Sequence, residues 1–147
     1  MNCWVFDLDN TLYPASANLF ALIDVRMRDF IARLLDVDQH TAHRMQKDWF
    51  INHGTTLNGL MREHGVAPGE FLDYVHDIEL DRISPEPELA QAIDALPGRK
   101  IIFTNADEPY ARRVLAKRGL ADCFEAVWDI HDCAYRPKPE RHGYDAL

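Results

Sequence analysis

Cys3-Trp4-Val5-Phe6-Asp7-Leu8-Asp9-Asn10-Thr11-Leu12-Tyr13-Pro14 opens the chain, and most of the architecture follows from how it is read. The first four residues form a short apolar run that ends at an acid. That is the pattern of a buried parallel strand delivering Asp7 at its carboxyl end. Leu8 to Tyr13 then read as a turn, and Pro14 ends it.

Working outward, Lys100-Ile101-Ile102-Phe103-Thr104 is a β-branched, apolar run and predicts a second buried strand. Phe124 to Trp128 predicts a third. Between Pro14 and about Arg99 no strand signal occurs. Apolar residues from about Ser16 to Leu35 recur at three- and four-residue steps, which predicts an amphipathic helix. Further helices are predicted at 38–52, 56–64 and 69–78, punctuated by Gly54, Gly65 and Pro68. Another begins after Pro87 and stops at Pro97-Gly98. One more opens at Asp107-Glu108-Pro109 and closes at Gly119, with acids at its start and Lys117 and Arg118 at its end, as the helix dipole favours. The Arg136-Pro137-Lys138-Pro139-Glu140 turn leads into a last helix.

Strands alternating with helices predict an α/β fold, a Rossmann-like parallel sheet with crossover helices. Residues 1–13 and 83–147 form that core, and 14–82 is an all-helical insert after the first strand.

Composition narrows the function. The 147 residues carry 16 Lys+Arg against 24 Asp+Glu, a net charge of −8, with no basic run. A nucleic-acid polymer is therefore not an expected partner, because neutralising phosphates needs a basic face. No apolar stretch is long enough to span a bilayer, and the N-terminus lacks the basic and apolar regions of a signal peptide, so a cytoplasmic location is expected. Cys3, Cys123 and Cys133 have no CxxC spacing and are read as reduced thiols, the first two in the core.

In open parallel sheets, ligands sit outside the carboxyl ends of the strands. Asp7 and Asp9 follow the first strand, Thr104 and Asn105 the second, and Lys138 the third. Two acids in one pocket repel unless a cation offsets them, and Mg²⁺ does so with oxygen ligands. A hydroxyl, an amide and a lysine at the same point would cradle a phosphoryl group.

Phe6-Asp7-Leu8-Asp9-Asn10-Thr11 resembles DxDxT, the first signature of the haloacid dehalogenase superfamily of phosphatases. Ile102-Phe103-Thr104-Asn105 is similar to its second motif, Lys138-Pro139 to its third, and 14–82 to the helical cap between the first two. Asp9-Asn10-Thr11-Leu12-Tyr13-Pro14, His53 to Leu60 and Thr104-Asn105-Ala106 are most similar to the pyrimidine 5′-nucleotidase branch. The resemblance implies a Mg²⁺-dependent phosphomonoesterase acting on a small-molecule phosphomonoester such as a pyrimidine nucleoside 5′-monophosphate. It implies Asp7 as the nucleophile that forms an aspartyl-phosphate and Asp9 as general acid and base. Asp7 and the Asp9 carbonyl would bind the metal, Thr104 and Asn105 would hold phosphate oxygens, and Lys138 would neutralise charge. The cap would close over the site and read the leaving group.

The superfamily's fourth motif, an acidic pair completing the metal site, is not found before Leu147, so the C-terminal part of the core is expected to be missing. A dimer in which a second chain supplies that strand by domain swapping is one arrangement the sequence allows. Two other readings stand beside the enzyme: a truncated or degenerate relative without turnover, and, more distantly, a phospho-accepting receiver domain. His53, Thr55 and Thr56 are cap candidates for the leaving group, or an ordinary helix terminus with Gly54 as breaker and Thr55 as cap. Trp49, Phe50, Phe71 and Tyr74 are expected to be cap core, and His40, His43, His64, His76, His131 and His142 to lie on the surface.

Overall fold

A computed structural model describes residues 2–147. They fall into two compact units: the chain up to Asn18 together with Glu79–Leu147, and Leu19–Ile78. The boundaries read from the sequence, at 13/14 and 82/83, both lie inside the first unit. A single 3₁₀ turn at Ala15–Ala17 ends at Asn18, whose backbone is left-handed, and Arg82 donates to the Asn18 carbonyl at 3.0 Å.

The first unit is built on a three-stranded parallel sheet, β1 (Cys3–Phe6), β2 (Arg99–Phe103) and β3 (Ala126–Trp128), in that spatial order. Cys3 pairs with Arg99 and Phe6 with Ile102, while Ile101 pairs with Ala126 and Phe103 with Trp128. The central strand is the buried one, with Ile101, Ile102 and Phe103 all in the core. The sequence expectation of a buried first strand is corrected here. Trp4 is 38% and Val5 49% exposed, and Cys3 is exposed rather than in the core. The reason is pairing: among the described residues β1 has a neighbour on one side only. Phe6 alone turns inward, meeting Phe124 edge-on at 5.3 Å. Cys123 is half-buried, and its thiol is pushed up to about 11 by burial and then by Asp94, which leaves it protonated and unreactive at neutral pH.

Helices α5 (Pro87–Asp94), α6 (Glu108–Lys117) and α7 (Arg141–Ala146) complete the unit. Tyr110, Ala111, Val114 and Leu115 form one buried stripe along α6, the spacing expected of a helix laid against a core. Arg118, just past that helix, is buried, so its role goes beyond complementing a dipole. Its guanidinium donates to the carbonyls of Leu12 at 2.9 Å and Ser84 at 2.6 Å, tying the turn after β1 to the segment before α5.

The second unit is all-helical: α1 (Leu19–Leu35), α2 (Gln39–His53), α3 (Thr56–His64) and α4 (Pro68–Val75). Caps fix its joints. Asp38 accepts from Thr41 N at 2.7 Å to start α2, and Thr55 accepts from Asn58 N at 3.0 Å to start α3. Phe30 meets Phe71 edge-on at 5.2 Å inside the core. Trp49 is buried and donates to Glu63 at 2.8 Å, whereas Phe50, expected in the core, is 60% exposed. Adjacent helix positions point about 100° apart, and here Trp49 takes the inward direction while Phe50 is turned to solvent. His76, expected at the surface, is buried where α4 ends. No helix among the described residues is long and apolar enough to cross a membrane.

Gly59 sits mid-helix in α3, where a Cβ would stand 2.3 Å from Trp49 Cγ. Propensity alone would have Gly59→Ala stabilise α3 by about 1 kcal/mol. The clash reverses the sign, because the indole and its bond to Glu63 must move, and a net loss of about 2 kcal/mol is expected in urea denaturation. A raised midpoint would show that the indole shifts at no cost.

Candidate active site

β1 ends at Phe6, which pairs with Ile102, so Asp7 follows at the level of Phe103 and Thr104 stands one position further along the neighbouring strand end. Lys138 reaches the same point from far along the chain. Its Nζ donates to Asp7 Oδ1 at 2.7 Å across 131 positions of sequence, and to the Phe103 carbonyl at 2.7 Å. The ammonium also lies 5.0 Å from the centre of the Phe103 ring. Asp7 is half-exposed, so this pair adds little stability. What it fixes is a positive charge beside an accessible carboxylate.

The backbone around Lys138 is held as firmly as its ammonium. Asn105 Oδ1 accepts from Lys138 N at 2.7 Å, and Asn105 Nδ2 donates to Lys138 O at 3.4 Å. Upstream, the Asp129 carboxylate is buried. It accepts from Glu108 N at 2.8 Å, His131 N at 2.9 Å and Asp132 N at 3.1 Å. One side chain thus caps α6 from outside the helix and orders the loop that leads to Lys138. Thr104 is buried, and its hydroxyl accepts from Ala106 N at 3.0 Å, which leaves the hydroxyl proton to donate elsewhere.

Asp9 lies beyond the strand, in the turn, and is held by two phenols. Tyr13 donates to Asp9 Oδ1 at 2.6 Å and Tyr110, from the first turn of α6, to the same oxygen at 3.2 Å. Burial, and after it the Asp9 carboxylate, raises both phenols well above the ordinary tyrosine value. Both therefore stay protonated, and so remain donors, throughout the neutral range.

The structure thus brings together Asp7, Asn105 and Lys138 among the residues singled out from sequence, with Thr104 on the adjoining strand end. It also adds Thr11, which donates to Asp7 Oδ2 at 3.0 Å, and Tyr13, Tyr110 and Asp129. Thr11 is four positions after Asp7 and could have been suspected from that spacing. Tyr110 reads as core in any helical pattern, and nothing in the sequence points from it to Asp9. His53, Thr55 and Thr56 lie in the helical unit. There His53 Nε2 is 3.1 Å from Glu63 Oε1, Thr55 caps α3, and buried Thr56 donates to the Gln46 carbonyl at 3.1 Å.

The donors near Asp7 suit a hard divalent cation. Each Asp7 oxygen holds one contact, to Lys138 or to Thr11, and a carboxylate oxygen has a second lone pair for a metal. Among the described residues no three His, Cys, Asp or Glu side chains converge as a metal-binding group, so water and phosphate oxygens would fill the other positions, as is common for Mg²⁺.

Comparison with known proteins agrees with this geometry. The chain is 25% identical over 137 residues to phosphate metabolism protein 8 of Saccharomyces cerevisiae, an alignment covering 86% of this chain and 42% of that relative. The chain therefore spans about two-fifths of the relative's length. The model of the haloacid dehalogenase-like hydrolases matches residues 1–147. That match takes in Asp7, Asp9 and the lysine that reaches back to Asp7, and the chain accordingly belongs to the haloacid dehalogenase-like hydrolase family.

Proposed function

We propose that this protein is a Mg²⁺-dependent phosphomonoester hydrolase that acts through an aspartyl-phosphate on Asp7. The observation that carries the proposal is the Lys138 ammonium bridging Asp7 and the Phe103 carbonyl. A cation against an accessible carboxylate at the strand ends supports this reading, because a transferring phosphoryl group needs charge stabilisation.

In this reading Asp7 attacks phosphorus and the bond to the ester oxygen breaks. Asp9 gives that oxygen a proton, then takes one from the water that hydrolyses the aspartyl-phosphate. Lys138 balances charge on Asp7 and on the phosphate. Thr104 donates to a phosphate oxygen, and Asn105 contributes to the same cradle while keeping Lys138 in place. The Asp7 carboxylate and the Asp9 main-chain carbonyl would hold Mg²⁺, which when bound supplies further positive charge against the phosphate.

The substrate class is a small phosphorylated metabolite, with pyrimidine nucleoside 5′-monophosphates first, on the likeness of Asp9 to Pro14 and His53 to Leu60 to the pyrimidine 5′-nucleotidases. His53, Thr55 and Thr56 are assigned to the leaving group on the same likeness. The test is phosphate release from a panel containing UMP, CMP, sugar phosphates and p-nitrophenyl phosphate, with Mg²⁺ and with a chelator. Mg²⁺-dependent release, fastest with UMP or CMP, is expected. A folded protein that releases nothing from any member overturns the reading.

A further inference from the structure

We propose that Tyr13 and Tyr110 are positioning residues that clamp one oxygen of Asp9 and so hold its carboxyl group in a fixed orientation toward the leaving group. The inference rests on the phosphatase reading above and extends it to two residues that touch no substrate. Both phenols are buried, and both donate to Oδ1, at 2.6 and 3.2 Å. A carboxylate oxygen has two lone pairs in its plane, and here two phenols take both.

The clamp also restricts rotation of the carboxylate. Tyr13 approaches from the turn that carries Asp9, four positions on, and Tyr110 from α6, 101 positions away. The two anchors come from separate elements, and the turn bearing Tyr13 is itself fixed by Arg118 on the Leu12 carbonyl. Such support matters because a general acid must be aimed at the leaving oxygen within hydrogen-bond reach.

The clamp is tested by removing one hydroxyl at a time. Tyr13→Phe, Tyr110→Phe and the double variant keep both rings in the core. Single-turnover phosphorylation is measured with UMP, whose alkoxide needs a proton to leave, and with p-nitrophenyl phosphate, whose phenolate does not. With UMP the double variant is expected to lose about tenfold or more in rate, part of what a positioned acid supplies, with KM within about twofold. With p-nitrophenyl phosphate the loss should stay below about threefold. Tyr13→Phe should cost more than Tyr110→Phe, because its bond is the shorter.

Equal losses on the two substrates, or a change confined to KM, would overturn the clamp. Where a variant fails to fold, the wild-type protein answers through proton NMR. Two slowly exchanging tyrosine hydroxyl signals, shifted in Asp9→Ala, are expected, and their absence overturns the clamp without an assay. If both signals are present but the wild type phosphorylates with no substrate, the phosphatase reading has failed. The acid-aiming role then falls with it, leaving a packing feature.

Discussion

Asp7→Asn is expected to abolish phosphate release under the proposed mechanism, with turnover falling about 10⁴-fold or more, the scale seen when a covalent nucleophile is removed. The amide has the shape of the carboxylate and keeps an oxygen to accept from Thr11 or Lys138, so the site is not collapsed. What is lost is the negative oxygen that the proposed mechanism needs to attack phosphorus. Because Asp7 is half-exposed, its ion pair with Lys138 contributes at most about 1 kcal/mol, and the melting temperature should barely move. Steady-state phosphate release and a thermal melt on the same preparation separate the two effects. Residual turnover within tenfold of wild type would remove Asp7 from the nucleophile's role, and a large fall in melting temperature would make the loss a folding defect.

The second large effect is at Lys138. Lys138→Met keeps an unbranched stem against the Phe103 ring but removes the ammonium that Asp7 and the Phe103 carbonyl share. A loss of about 10²- to 10³-fold in kcat/KM is expected, the usual cost of deleting one fixed charge or donor aimed at developing negative charge. Inhibition by inorganic phosphate should weaken as well, since the same charge meets the product. Lys138→Arg is not expected to restore activity, because a planar fork cannot occupy the place of a compact ammonium donating to two acceptors 2.7 Å away. Full activity in Lys138→Met would reduce the lysine to a turn residue held by its backbone.

Much of this arrangement is legible in the sequence. An apolar run ending at Asp7 and another ending at Thr104 suffice to set two parallel strands side by side with their chemistry at the same end, and helical periodicity locates α1 to α4 to within a few residues. Exposure is harder to read. Cys3-Trp4-Val5 looks the same whether a strand is paired on one side or on two, and only the sheet order shows that β1 has one partner among the described residues. Phe50 and His76 fail for a related reason. Residue type predicts average burial, while the direction of a helix face decides the individual case.

The hidden part of the site consists of bonds across long separations between residues that look structural. Tyr110 sits in an apolar stripe, Asp129 in a loop, and Arg118 at a helix end where a base is already accounted for. Nothing local distinguishes them from packing residues. Even Asn105, chosen from sequence for its position, is shown to be bonded to the main chain of Lys138.

The pairing of β1 with β2 also shapes how the chain is made. Trp4 bonds to the Pro97 carbonyl, 93 residues further along, so at about 5–20 residues per second the ribosome delivers the partner strand several seconds after β1 emerges. Through that interval Trp4, Val5 and Phe6 are an apolar segment without a sheet. Helices α1 to α4, which lie between them and β2, form a compact unit of their own, and helical units fold in microseconds to milliseconds, well before β2 is synthesised. Their early collapse shortens the flexible chain to be closed when Arg99–Phe103 arrives. The helical insert is thus complete before the sheet that carries Asp7 can begin to form.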